Sequence, residues 1–145
     1  MLKTVAERKF GREDILLFRK IEKVVREIDV DKMFNQSNDC GEDIDVRLCH
    51  ILSHTIVKTF GNGLMLRHGY FAKGYEHYWV ETYNGNVIDM CPVGSINPVL
   101  MSSKDARRSG LYLKKENIAQ KSLGDNFFKM IKALEHQIKK QLCES

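Results

Sequence analysis

From Asp14 to about Ile28, apolar residues recur at helical spacing, and Ile15, Phe18, Ile21, Val25 and Ile28 fall on one face. The polar stretch DVDKMFNQSNDCGED follows. Its Asn, Ser, Asp and Gly residues predict a loop, with room for a single helical turn. A second helix is predicted over VRLCHILSHTIVKTF, Val46 to Phe60, with Gly61 and Gly63 as stop signals. Three strand-like runs come next, LMLRHGYF, EHYWVE and NVIDMCP, with FAKGY as the turn between the first two. Pro92 and Pro98 bracket an irregular connection, and GLYLKK adds a short strand. The last element, NFFKMIKALEHQIKKQL, carries Phe127, Ile131, Leu134, Ile138 and Leu142 on one helical face. Strands gathered centrally, with helices at both ends, predict an α+β fold with a small antiparallel sheet.

The register of the central hairpin decides which side chains meet. Alternation puts His77, Trp79 and Glu81 on one face of their strand and Tyr78 and Val80 on the other. A two-residue turn at Asn84-Gly85, the strongest local hairpin signal in the chain, pairs Val80 with Asp89 and sends His77 to the wrong face. Asp89 stands opposite His77 only if the turn centres on Tyr83, with a loop of odd length such as Glu81 to Gly85. The longer loop, or a bulge, is the expectation taken here.

At 145 residues the chain is long enough for one domain with a buried core, and 43% hydrophobic and 29% charged residues are ordinary for a globular protein. The net charge of +4 owes much to lysines near the C-terminus, as in HQIKKQ. No aromatic residues are interleaved with them, which favours a solvated helix face over a nucleic-acid surface. No apolar run is long enough to span a bilayer. The N-terminal MLKTVAERKFGRED lacks the apolar centre of a signal peptide, so a cytoplasmic setting is expected. Cys40, Cys49, Cys91 and Cys143 show no CxxC spacing and are expected to be thiols, Cys91 in a buried strand and Cys143 in a frayed terminus.

Those cysteines matter because His77 and Asp89 make two thirds of a Cys-His-Asp triad. A helix from Cys49 to Phe60 rises roughly 18 Å at about 1.5 Å per residue. The strand returning from Leu64 to the level of His77, near His68, covers roughly 17 Å at about 3.3 Å per residue. The two lengths match. An unbroken helix from Cys40 rises roughly 30 Å and overshoots, which leaves Cys40 as the second candidate nucleophile. Zinc binding is the rival chemistry. His50 and His54 are spaced as in HExxH, but Ile51 replaces the glutamate. Cys49, His50, His54, His68, His77 and Cys91 would have to be gathered by the fold. Taken singly, each candidate also has a plain reading as core cysteine, satisfied histidine or core aromatic. Asp89 between apolar neighbours is the exception, because a buried carboxylate requires a partner.

The stretch CHILSHTIVKTFGNGLMLRHGYFAKGYEHYWVETYNGNVIDMCPVG resembles the core of the transglutaminase-like branch of the papain-like cysteine enzymes. That core has a cysteine opening a helix, a glycine-ended strand, then a His-x-Trp strand and an aspartate on the next. Lasso-peptide leader peptidases and bacterial transglutaminase-like proteins show similar spacing. The resemblance covers about Arg47 to Val99, and Tyr78 departs from it where a small residue is usual. It implies Cys49 as nucleophile, His77 as base and Asp89 as the partner that orients the imidazole, with no cofactor or metal. The reaction implied is attack on a protein or peptide amide to give a thioester, followed by hydrolysis, deamidation or acyl transfer. The backbone N–H of Cys49, with Gln36 or Asn38 from the preceding loop, is the expected oxyanion donor, and Trp79 the expected wall of the site. The alternative is a catalytically inactive module of the same fold that holds a partner protein.

Overall fold

The computed structural model describes residues 3–29, 44–61, 63–72, 74–94, 97–114 and 125–144. Their elements run α1 (Val5–Phe10), α2 (Arg12–Glu27), α3 (Ile44–Phe60), β1 (Met65–Phe71), β2 (Tyr75–Glu81), β3 (Val87–Asp89), β4 (Val99–Met101), α4 (Ser103–Ser109), β5 (Tyr112–Lys114) and α5 (Asp125–Glu144). The mixture of helices with one antiparallel sheet, ordered β4-β3-β2-β1-β5, is an α+β arrangement. None of the described helices is long and apolar enough to cross a membrane.

Three elements differ from the sequence expectation. α1 buries no side chain and is held by its cap: the Glu7 amide donates to the Thr4 hydroxyl at 3.1 Å. β4 and α4 lie between Pro98 and the GLYLKK strand, a stretch for which no element is predicted. Three residues are too few to show alternation, so β4 is defined by pairing with β3 rather than by its own pattern. α4 starts where the Ser102 hydroxyl accepts the Asp105 amide and stops at Gly110, whose φ of 66° suits a residue without a side chain.

Two apolar layers flank the sheet. On one face Val80 and Ile88 meet Ile21 and Val24 of α2, Ile51, Leu52 and Ile56 of α3, and Ile131, Leu134 and Ile138 of α5. The stripes predicted for the helices are thus the surfaces that cover this face. Each fully buried side chain of this kind contributes roughly 1.5–3 kcal/mol. On the other face a smaller cluster of Trp79, Val87, Ala106 and Tyr112 packs with Phe71, Met101 and Leu111.

The β2–β3 hairpin is neither of the two simplest possibilities. Val80 pairs with Ile88 and Glu81 with Val87. The Thr82 amide donates to the Asn86 carbonyl, and the Gly85 amide to the Thr82 carbonyl, each at 2.9 Å. The loop is therefore Tyr83-Asn84-Gly85, with Gly85 at φ 85°. Its odd length keeps His77 and Asp89 on one face, as expected. The centre lies at Asn84 rather than Tyr83, so Asp89 is in register with Trp79, and His77 is its diagonal neighbour rather than its direct opposite. A buried clamp fixes this register. Asp14 Oδ2 accepts from both Thr82 Oγ1 and Asn86 Nδ2 at 2.6 Å, and Asn86 Nδ2 also donates to the Phe10 carbonyl at 2.8 Å.

Candidate active site

His77 and Asp89 are brought together. Nε2 of His77 lies 2.7 Å from Asp89 Oδ2, with 2% and 1% of the two residues exposed. The diagonal offset is bridged because histidine and aspartate side chains span the space between next-nearest cross-strand positions. An ionised Asp89 accepts only, so it holds the proton on Nε2 and leaves Nδ1 for a second partner. Two further donors complete the carboxylate. Tyr112 Oη donates to the same Oδ2 at 2.9 Å, and the Cys91 amide donates to Oδ1 at 3.0 Å. A buried carboxylate with three hydrogen bonds needs no cation beside it.

The Cys91 contact also corrects an expectation. Cys91 is half-buried just past β3 rather than inside a buried strand, because the Asp89 side chain takes its N–H out of the ladder. Tyr112 was not foreseen. Its position in GLYLKK marks a strand, but only the pairing of β5 with β1, Phe71 opposite Tyr112, carries it to Asp89.

Cys49 approaches from the other layer. His77, Trp79 and Asp89 project from the face away from the large helices, whereas α3 packs on the Tyr78 and Val80 face. The two sides meet at β2 where its ladder with β3 ends. There Ser53 donates to the Tyr78 carbonyl at 3.4 Å, and one turn earlier the Cys49 sulfur takes the backbone N–H of Tyr78, the residue after His77. Asp89 and Cys91 lie close enough to act on Cys49 electrostatically. Burial, the dominant cause, pushes the thiol up to about 12, and the nearby Cys91 and Asp89 add to the rise. The backbone N–H groups of Tyr78 and His50 oppose it.

Cys49 does not open its helix. α3 begins at Ile44, which puts Cys49 in the second turn. Its N–H is therefore committed to the helix's own i→i−4 bond, and the expected oxyanion role for that amide falls away. Cys40, Gln36 and Asn38 lie outside the described residues. Cys143 is an exposed thiol in the last turn of α5.

Trp79 is fully buried between His77, with ring centroids 6.2 Å apart, and Tyr112, at 5.3 Å. Its Nε1 has no hydrogen-bond partner among the described residues. Gly69 makes room for it: a Cβ there would lie 2.8 Å from the Trp79 ring and 2.1 Å from the Leu113 carbonyl oxygen.

The histidines weighed as zinc ligands, His50, His54 and His68, form a stack around Tyr78 rather than a ligand set. The Tyr78 ring lies between His50, at 3.7 Å, and His68, at 3.9 Å, both nearly parallel to it. His68 Nε2 contacts Glu76 Oε1 at 2.7 Å. Stacked planes direct ring nitrogens sideways instead of toward a common point. Among the described residues no three His, Cys, Asp or Glu side chains converge to hold a metal. Comparison of the chain with family models, with curated proteins and with solved structures returns no match.

Proposed function

We propose that the protein is a cysteine-dependent enzyme acting on a protein or peptide amide through a thioester. In this reading the core is papain-like or transglutaminase-like, with Cys49 as nucleophile, His77 as base and Asp89 as the carboxylate that orients it. The observation that supports it most is the buried 2.7 Å bond between His77 Nε2 and Asp89 Oδ2, with the Cys49 sulfur held at the next backbone amide. Nδ1 of His77 takes the thiol proton as the sulfur attacks the carbonyl carbon and forms the C–S bond. The C–N bond then breaks, and the amine leaves with the proton from His77. Water resolves the thioester by hydrolysis, or a second amine accepts the acyl group.

A thiol raised to about 12 is protonated at neutral pH, so proton removal must accompany attack. Cys49 is 1% exposed, so the site must also open to admit a substrate. That closure favours the second reading, a non-catalytic module that holds a partner protein.

Alkylation separates the two. In the enzymatic reading iodoacetamide labels Cys49 faster than the more exposed Cys91, and His77→Ala slows Cys49 alone by about 10-fold or more. Exposure alone predicts the reverse order. Faster labelling of Cys91, with Cys49 indifferent to His77→Ala, removes the enzymatic reading and leaves the binding module. A screen of peptide amides with wild type and Cys49→Ser then defines the acyl donor.

A further inference from the structure

Asp89 Oδ2 carries two hydrogen bonds where orienting His77 requires one. The second donor, Tyr112 Oη, comes from the far edge of the sheet, across β1 and β2. Tyr112 is 6% exposed and is held edge-on by Phe71 and Trp79, with ring centroids at 5.5 and 5.3 Å. This packing fixes the ring and so fixes the direction of its hydroxyl. We propose that Tyr112 is a positioning residue that sets the proton affinity of His77 through their shared oxygen, Asp89 Oδ2.

Charge drawn toward one donor is less available to the other, because both bonds end on the same atom. With Tyr112 in place, Asp89 orients the imidazole and holds the proton on Nε2, but its pull on an imidazolium is moderated. With Nε2–H turned to Asp89, Nδ1 is the atom left to supply the lone pair that a base needs. Burial and the Asp89 charge push the Tyr112 hydroxyl upward, so it stays a donor at neutral pH.

Among the described residues, few other polar groups surround the His77–Asp89 pair. Cys49 of α3, close enough to Asp89 to interact with it electrostatically, is a neutral thiol, and Cys91 contributes an amide to the other carboxylate oxygen. On the same sheet face Glu81 forms its own cluster with Arg67 at 3.3 Å and Lys114 at 2.7 Å. Asp105 of α4 is engaged by Lys9. Asp89 and Tyr112 are therefore the polar groups that set the state of this ring.

The inference rests on the His77–Asp89 pair of the proposed site, but its test needs no turnover. Histidine labelled with ¹⁵N reports by NMR the tautomer of His77 and the pH at which its second proton binds. Tyr112→Phe keeps the ring and deletes the donor. It should raise that midpoint relative to wild type by on the order of one pH unit, with Nε2–H kept at neutral pH. Replacing the five tyrosines by 3-fluorotyrosine, a more acidic phenol and stronger donor, should move the midpoint down. This second arm applies even if Tyr112→Phe does not fold. Phe71→Leu, which removes ring contact with Tyr112 but no hydrogen bond, should lower stability without moving the midpoint as far. A midpoint unchanged by Tyr112→Phe, or moved the same way by both tyrosine changes, overturns the proposal. Loss of the alkylation effect at Cys49 with these His77 shifts intact would instead remove the catalytic reading and leave the Tyr112 linkage standing.

Discussion

At the scale of single residues, Asp89 gathers three hydrogen bonds on two buried oxygens. Its two oxygens accept from His77 Nε2, Tyr112 Oη and the Cys91 amide, and only 1% of the residue is exposed. Asp89→Ala leaves three buried donors unpaired and is expected to cost about 3 kcal/mol or more, read as a fall in the urea midpoint. Asp89→Asn keeps the shape but offers one acceptor oxygen and an NH₂ group, so His77 should lose its fixed tautomer while the fold is largely retained. A drop of less than about 1 kcal/mol for Asp89→Ala would mean that the pocket rehydrates and the network is slack. The shared face of His77 and Asp89 was an expectation that ran against the local two-residue turn signal at Asn84-Gly85, and it holds because the loop has odd length. Alternation and a loop of odd length put both on one face wherever the loop is centred. Tyr112 was not legible, because its place depends on a strand that pairs across a long stretch of intervening chain.

The elements show where local signals stop. The long helices follow from their own apolar periodicity, and the buried residues Ile15, Ile21, Ile131, Leu134 and Ile138 fall on the predicted stripes. Short elements are less legible: β4, three residues long, exists through its pairing with β3, and β5, though GLYLKK signals a strand, gets its place only by pairing with β1. The join between β1 and β5 is the most sensitive point. Gly69→Ala drives a methyl group into the Leu113 carbonyl, a backbone atom that cannot swing aside. The expected outcome is a loss of about 3 kcal/mol or more, with β5 displaced and the Tyr112–Asp89 bond broken. Hydrogen exchange should show lost protection at Phe71 and Tyr112, and unchanged protection there would contradict the packing described. On the opposite rim Asp14→Ala unties Thr82 and Asn86 from α2. It should cost roughly 2–4 kcal/mol and speed exchange at the Thr82 amide, while α5 stays protected.

For the molecule as a whole, acid is the informative perturbation. Burial, with His54 and His68 nearby, lowers His50 from 6.5 to about 4, and burial also lowers His54. A base whose folded value lies below its unfolded one binds fewer protons when folded, so stability rises with pH across that window. The stability is intact above about 6.5 and is lost as pH falls toward about 4. Because His50 is only half-buried, its share of the loss is on the order of 2 kcal/mol. His50→Phe keeps the stack on Tyr78 and should flatten the slope of urea midpoint against pH between about 4 and 6.5. An unaltered slope would show that other groups carry the acid sensitivity.

What the sequence settled by itself is what short-range physics controls: helix stripes, strand alternation and glycine helix stops. These need only neighbours within a few residues, and periodicity records them directly. Tertiary structure alone decided three things: the one-pair shift of the hairpin under the Asp14 clamp, the arrival of Tyr112 at Asp89, and the burial of Cys49 at a strand edge from the opposite layer. Each depends on contacts between segments far apart in the chain. Local preference does not encode such contacts, and they form only when two apolar layers close on the sheet.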